Sequence, residues 1–85
     1  MSNELFIAGS LEEIIEANPE KTFLSADGLE GAVIGYKGER LVYSVAKCIE
    51  ILMADMSRED ALEYFDFNTR DAYVGEQTPI WMEDL

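Results

Sequence analysis

"RLVYSVAKCIEILMADM", residues 40–56, holds two kinds of pattern joined at one serine. Arg40–Ser44 is rich in β-branched and aromatic residues and reads as a strand. From there Val45, Cys48, Ile49, Leu52, Met53 and Met56 recur at i, i+3, i+4, i+7, i+8 and i+11, one apolar stripe on a helix. A strand that feeds straight into an amphipathic helix decides for a mixed fold.

Upstream, "GAVIGY" at 31–36 reads as a second strand, hairpinned to the first across Lys37-Gly38. Asp27-Gly28 is another turn signal, because glycine takes φ > 0 without a Cβ clash. Gly31, Gly35 and Gly38 precede a strand instead of a helix, so they do not make a phosphate-binding loop. "GSLEEIIEANPE" at 9–20 reads as a short helix. Ser10 and Glu13 have capping-box spacing, Leu11, Ile14 and Ile15 share a face, and Asn18-Pro19 stops the run. The preceding "ELFIA" reads as a short strand or an apolar lead-in.

Downstream, "MSREDALEYFDFN" at 56–68 begins another helix. Ser57 and Asp60 are spaced as a cap, Ala61, Leu62 and Phe65 form the inner face, and Asn68 is expected to end it in the left-handed conformation. "AYVGEQTPIWM" then predicts an extended piece, a turn at Gly75-Glu76-Gln77 and a closing strand. Pro79 cannot donate a ladder hydrogen bond, so that strand is expected to lie at a sheet edge or to start there. The final Glu83-Asp84-Leu85 reads as a solvated tail. The expectation is one acidic α+β domain over residues 1–85: a small antiparallel sheet of three to four strands with two or three helices on one face.

Composition bounds the function. The chain carries 18 acids against 6 bases, a net charge of −12. Such a field repels phosphates and anionic membranes and attracts basic surfaces, so direct nucleic-acid binding is disfavoured. With no histidine and one cysteine, Ser-His or Cys-His catalysis and zinc sites cannot be built within one chain. No cofactor is expected. Lone Cys48 fits a reducing cytoplasm and reads as a buried small hydrophobe. No apolar run approaches a membrane span, and the opening residues lack the basic region of a secretory signal.

Two features are candidates for contact with a partner. Glu59, Glu63 and Asp66, at i, i+4 and i+7, line one helix face, which is either a solvated face with Arg70 neutralising Asp66 or a landing strip for a basic protein. Glu12, Glu13 and Glu16, with Glu20 beyond, form a second acidic face. The other feature is a surplus of rings. Tyr64, Phe65, Phe67, Tyr73 and Trp81 cannot all point inward from one short helix and one edge strand. Exposed Tyr and Trp are enriched where proteins bind. The candidate partner-binding set is Glu59, Glu63, Asp66, Tyr64, Phe67, Tyr73, Glu76 and Trp81, facing a basic host protein or a second copy in a homodimer.

The stretch "YSVAKCIEILM…MSREDALEYFDFNTRDAYVGEQTPIW" resembles a pattern in small uncharacterised proteins of tailed phages and prophages. The likeness spans about residues 31–81, with Tyr43, Asn68, Tyr73, Gly75, Glu76, Thr78 and Pro79 at matching positions. It departs at Thr69-Arg70-Asp71, where the pattern is more apolar. The resemblance implies a phage origin and a small accessory role, such as inhibition of a host defence or nucleic-acid-binding factor. It implies no activity. Two alternatives remain: a metal-dependent enzyme working with carboxylates alone, and a structural or homo-oligomeric virion component.

Overall fold

A computed structural model describes residues 5–7, 10–26, 28–70, 75 and 77–84. The central hairpin joins β2 (Val33–Lys37) to β3 (Arg40–Ser44) through a two-residue loop. Gly38 enters that loop at φ 62°, the left-handed region where the right-handed twist of the flanking strands wants glycine. β1 (Leu5–Ile7) pairs antiparallel with β2, Phe6 opposite Tyr36. The register slips between Val33 and Gly35, a bulge that leaves Ile34 out of the pairing.

The fold is α+β, and its four-stranded sheet runs β1-β2-β3-β4. The expectation of an all-antiparallel sheet is corrected at its last member. β4 (Ile80–Met82) lies parallel to β3, with Val42, Tyr43 and Ser44 opposite Ile80, Trp81 and Met82. The physical reason is a clamp at each end. Arg40, first in β3, donates from Nε to the Thr78 carbonyl just before β4, at 2.6 Å. At the other end Asp84 reaches Ser44, the last residue of β3. The strands therefore start together and finish together, which requires a long crossover; α2 and α3 provide it.

The helices begin where their caps dictate. The Ser10, Ser44 and Ser57 hydroxyls accept the N–H of Glu13, Lys47 and Asp60, opening α1 (Leu11–Ala17), α2 (Val45–Leu52) and α3 (Arg58–Phe65). α2 stops sooner than its stripe suggests: Met53 is the C-cap and is 42% exposed. Gly31 and Ala32, expected in the second strand, belong to a 3₁₀ turn (Glu30–Ala32) that packs against α2. Asn68 does not end α3 in the left-handed conformation, since no described non-glycine residue has positive φ. Instead the chain widens into a π turn over Asp66–Arg70, and Asn68 Nδ2 donates back to the Tyr64 carbonyl at 3.3 Å.

The core lies on one face of the sheet. Leu41 and Tyr43 of β3 and Val33 of β2 meet Ile14 of α1, Val45, Cys48 and Ile49 of α2, and Ala61 and Phe65 of α3. Leu41 and Tyr43 share that face because strand side chains alternate. Helices from all three elements thus cover the same side. Trp81 comes up beside them from β4, its ring centroid 4.9 Å from Tyr43 and 5.2 Å from Phe65. The Phe65 contact is edge-to-face, the arrangement the ring quadrupoles favour. Cys48 is buried, and burial pushes its thiol up to about 12, with the Asp84 charge adding to the effect. It is an inert filler.

Candidate partner-binding site

α3 sets out the candidate residues by simple helical geometry. Successive side chains advance 100° around an α-helix, so Tyr64 leaves the core-facing direction of Phe65 and points outward. Beyond Phe65 the π turn re-aims the next ring: Phe67 is 76% exposed, whereas Phe65 is 1% exposed. Single-turn π insertions of this kind recur at functional sites. Tyr64 is 46% exposed. Glu59, Glu63 and Asp66 are all exposed along the same helix and its extension. Two exposed rings therefore stand among carboxylates.

The remaining members of the sequence-derived set divide. Trp81 is half-buried and packs into the core instead of onto the surface. Tyr73 and Glu76 lie outside the described residues, and so does the Arg70 side chain on which the expected neutralisation of Asp66 depends. The acids of α1 are exposed too, but they stand apart from any described cavity.

Two concavities frame the aromatic pair. One is a shallow acidic shelf of about 390 Å³, lined by Met56, Asp60, Glu63, Tyr64, Phe67 and Asn68. The other is a half-open, largely apolar cavity of about 420 Å³ between the 24–29 loop and the end of α3, walled by Leu24, Leu29, Leu52 and Trp81 among others. Tyr64 and Asn68 belong to both. Asp60, Met56 and the 24–29 loop are not in the sequence-derived contact set. In the sequence Asp60 has the spacing of a cap partner, and no local pattern brings a loop about forty residues upstream beside Tyr64.

The walls are pinned by specific bonds. The Ala26 N–H donates to the Tyr43 hydroxyl at 2.7 Å, holding the loop onto the core ring. Burial raises the Tyr43 phenol above its usual value, so it stays protonated. Phe23 stacks edge-on against Tyr36, with Lys21 Nζ 5.1 Å above the same Tyr36 ring. Gln77 Nε2 donates to the Thr22 carbonyl, tying the second loop to the first. Thr78 returns its hydroxyl and its N–H to the Gly75 carbonyl, at 2.6 and 3.2 Å, closing the turn that glycine opens at φ 96°. Among the described residues the Trp81 Nε1–H has no acceptor.

The C-terminal residues are more than a solvated tail. Asp84 accepts the Ala46 N–H at 2.8 Å and the Ser44 hydroxyl at 2.5 Å, so a carboxylate sits on the N-terminus of α2. These bonds hold its pKa below the usual carboxylate value. The carboxylate is thereby committed to structure.

Among the described residues no three Asp, Glu or Cys side chains converge as metal ligands. No described helix is long and apolar enough to cross a membrane. No protein-family model, curated protein or solved structure matches the chain.

Proposed function

We propose that this chain is a non-enzymatic binding protein that occupies a basic surface of another protein through the α3 face bearing Tyr64 and Phe67. The observation that carries this reading is Phe67, a phenyl ring 76% exposed beside half-exposed Tyr64 and flanked by Glu63 and Asp66. An exposed ring normally costs free energy in water, and aromatic anchors ringed by polar groups are the usual centre of an interface. The charge of −12 selects the partner's sign and accelerates its approach. The likeness to phage proteins supports a host protein as that partner, with occupation of a nucleic-acid-binding factor as the biological result.

The test is affinity capture from a bacterial lysate, comparing the parent chain with two variants. Phe67→Ala removes the anchor; a triple reversal, Glu59→Lys, Glu63→Lys and Asp66→Lys, inverts the flank. A protein held by the parent, lost with both variants and released by raised salt is the expected result. Identical retention by all three chains at every salt concentration rejects the reading.

A further inference from the structure

Resting on that reading, we infer that the bound segment of the partner carries a bulky apolar side chain seated in the 24–29 cavity, next to a lysine or arginine on the acidic shelf. The cavity and the shelf are not separate sites. Tyr64 and Asn68 line both, so a ligand that fills one touches the wall of the other.

The chemistry of the two halves differs sharply. The cavity, about 420 Å³, is walled by Leu24, Leu29, Leu52 and Trp81, and none of the described residues that line it is charged. That volume falls in the range of about 300–1,000 Å³ typical of side-chain and small-ligand clefts. The shelf presents Asp60 and Glu63 together with the faces of Tyr64 and Phe67. Carboxylates beside an aromatic face suit a guanidinium or ammonium group, by ion pairing and by cation–π attraction. Extended chain advances about 3.3 Å per residue, so a spacing of one or two residues bridges adjoining pockets that share a wall.

The lone tryptophan supplies the readout. Trp81 is the chain's one tryptophan, and it lines the cavity but not the shelf. Three tetrapeptides, each N-acetylated and C-amidated, separate the contributions: Leu-Gly-Arg-Arg, Gly-Gly-Arg-Arg and Leu-Gly-Glu-Glu. Binding is followed by Trp81 fluorescence for the cavity and by the backbone amide signals of Glu63 and Phe67 in nitrogen-15-labelled protein for the shelf. Burial of one leucine side chain should tighten Leu-Gly-Arg-Arg about tenfold or more over Gly-Gly-Arg-Arg.

Only Leu-Gly-Arg-Arg should change both signals, and it should outbind Leu-Gly-Glu-Glu. Ser25→Phe, a substitution of an exposed residue on the cavity wall, should abolish the fluorescence response while leaving the amide shifts. Equal binding of the two arginine peptides with Trp81 emission unchanged overturns this inference and leaves the wider proposal standing. Equal binding of the two leucine peptides also overturns it, marking the cavity as an apolar-ligand site independent of charge. No response to any of the three overturns both.

Discussion

Replacing Asp84 with alanine removes two bonds that fasten the C-terminal strand to the rest of the molecule. Its carboxylate accepts the Ala46 N–H at 2.8 Å and the Ser44 hydroxyl at 2.5 Å. Loss of a side-chain acceptor at a helix N-terminus costs about 1 kcal/mol. The favourable placement of a negative charge there adds about 0.3–0.5 kcal/mol, held to the low end because Asp84 is solvent-exposed. A total of about 1.5 kcal/mol corresponds to a drop in Tm of about 6–12 °C for a domain of this size. Asp84→Asn keeps one acceptor for Ala46 and loses the charge, so its drop should be about half as large.

The pH dependence carries a definite sign. Asp84 has its folded pKa lowered from 3.8, so its stabilisation is fully present above about pH 4 and is lost as pH falls through the folded value. Acidification also relieves the self-repulsion of a chain at −12, which pushes stability the other way. That second effect is nearly common to parent and variant. The quantity to measure is therefore the difference between their melts, followed by Trp81 fluorescence from pH 7 to pH 3. It should be flat down to about pH 5 and should shrink below pH 4. A variant melting within about 1 °C of the parent at pH 7, or a difference unchanged at pH 3, would refute the capping role.

Three further outcomes follow from the same packing. Tyr43→Phe deletes the acceptor of the Ala26 N–H and should lower stability by about 1–3 kcal/mol, read as a shifted urea midpoint with an unchanged slope; an unchanged midpoint contradicts it. Phe67→Ala should leave stability within about 0.5 kcal/mol, whereas Phe65→Ala, two positions away, should cost about 3–5 kcal/mol; similar melts for the two would mean that the π turn does not turn Phe67 outward. Cys48, buried and with its thiol pushed up to about 12, should react with a thiol reagent at pH 8 only as fast as the protein opens; rapid labelling in native buffer would contradict its place in the core.

Much of the architecture was legible in the chain because it is set locally. Ser10 and Ser57 stand directly before their helices and cap the N–H three residues on, and the Lys37-Gly38 pair closes the hairpin where it was expected. Ser44 caps α2 just as they cap theirs, but its place as the last residue of a strand concealed that role. Met53 misled for a related reason: it continues the apolar stripe, yet the helix has already ended at Leu52. Asn68 stood at a plausible left-handed stop, and the chain took a π turn there. Of the candidate site, crowding told only that at least one ring would be turned out, since neighbouring rings on one short helix cannot share one inward direction; that the exposed rings are Tyr64 and Phe67 comes from the structure.

What the sequence by itself determined, then, is whatever depends on neighbours within about one helical turn or one hairpin: caps, strand alternation, the turn glycines and the excess of rings around α3. The direction of β4, the burial of Trp81 between Tyr43 and Phe65, the capping of α2 by Asp84 and the joining of an apolar cavity to an acidic shelf were decided only in the tertiary structure. Each joins residues far apart in the chain, such as Arg40 with Thr78 or Ala46 with Asp84. The free energy that makes those pairings favourable arises only when the sheet and helices bring both partners together. No local window of the sequence contains both halves of such a bond.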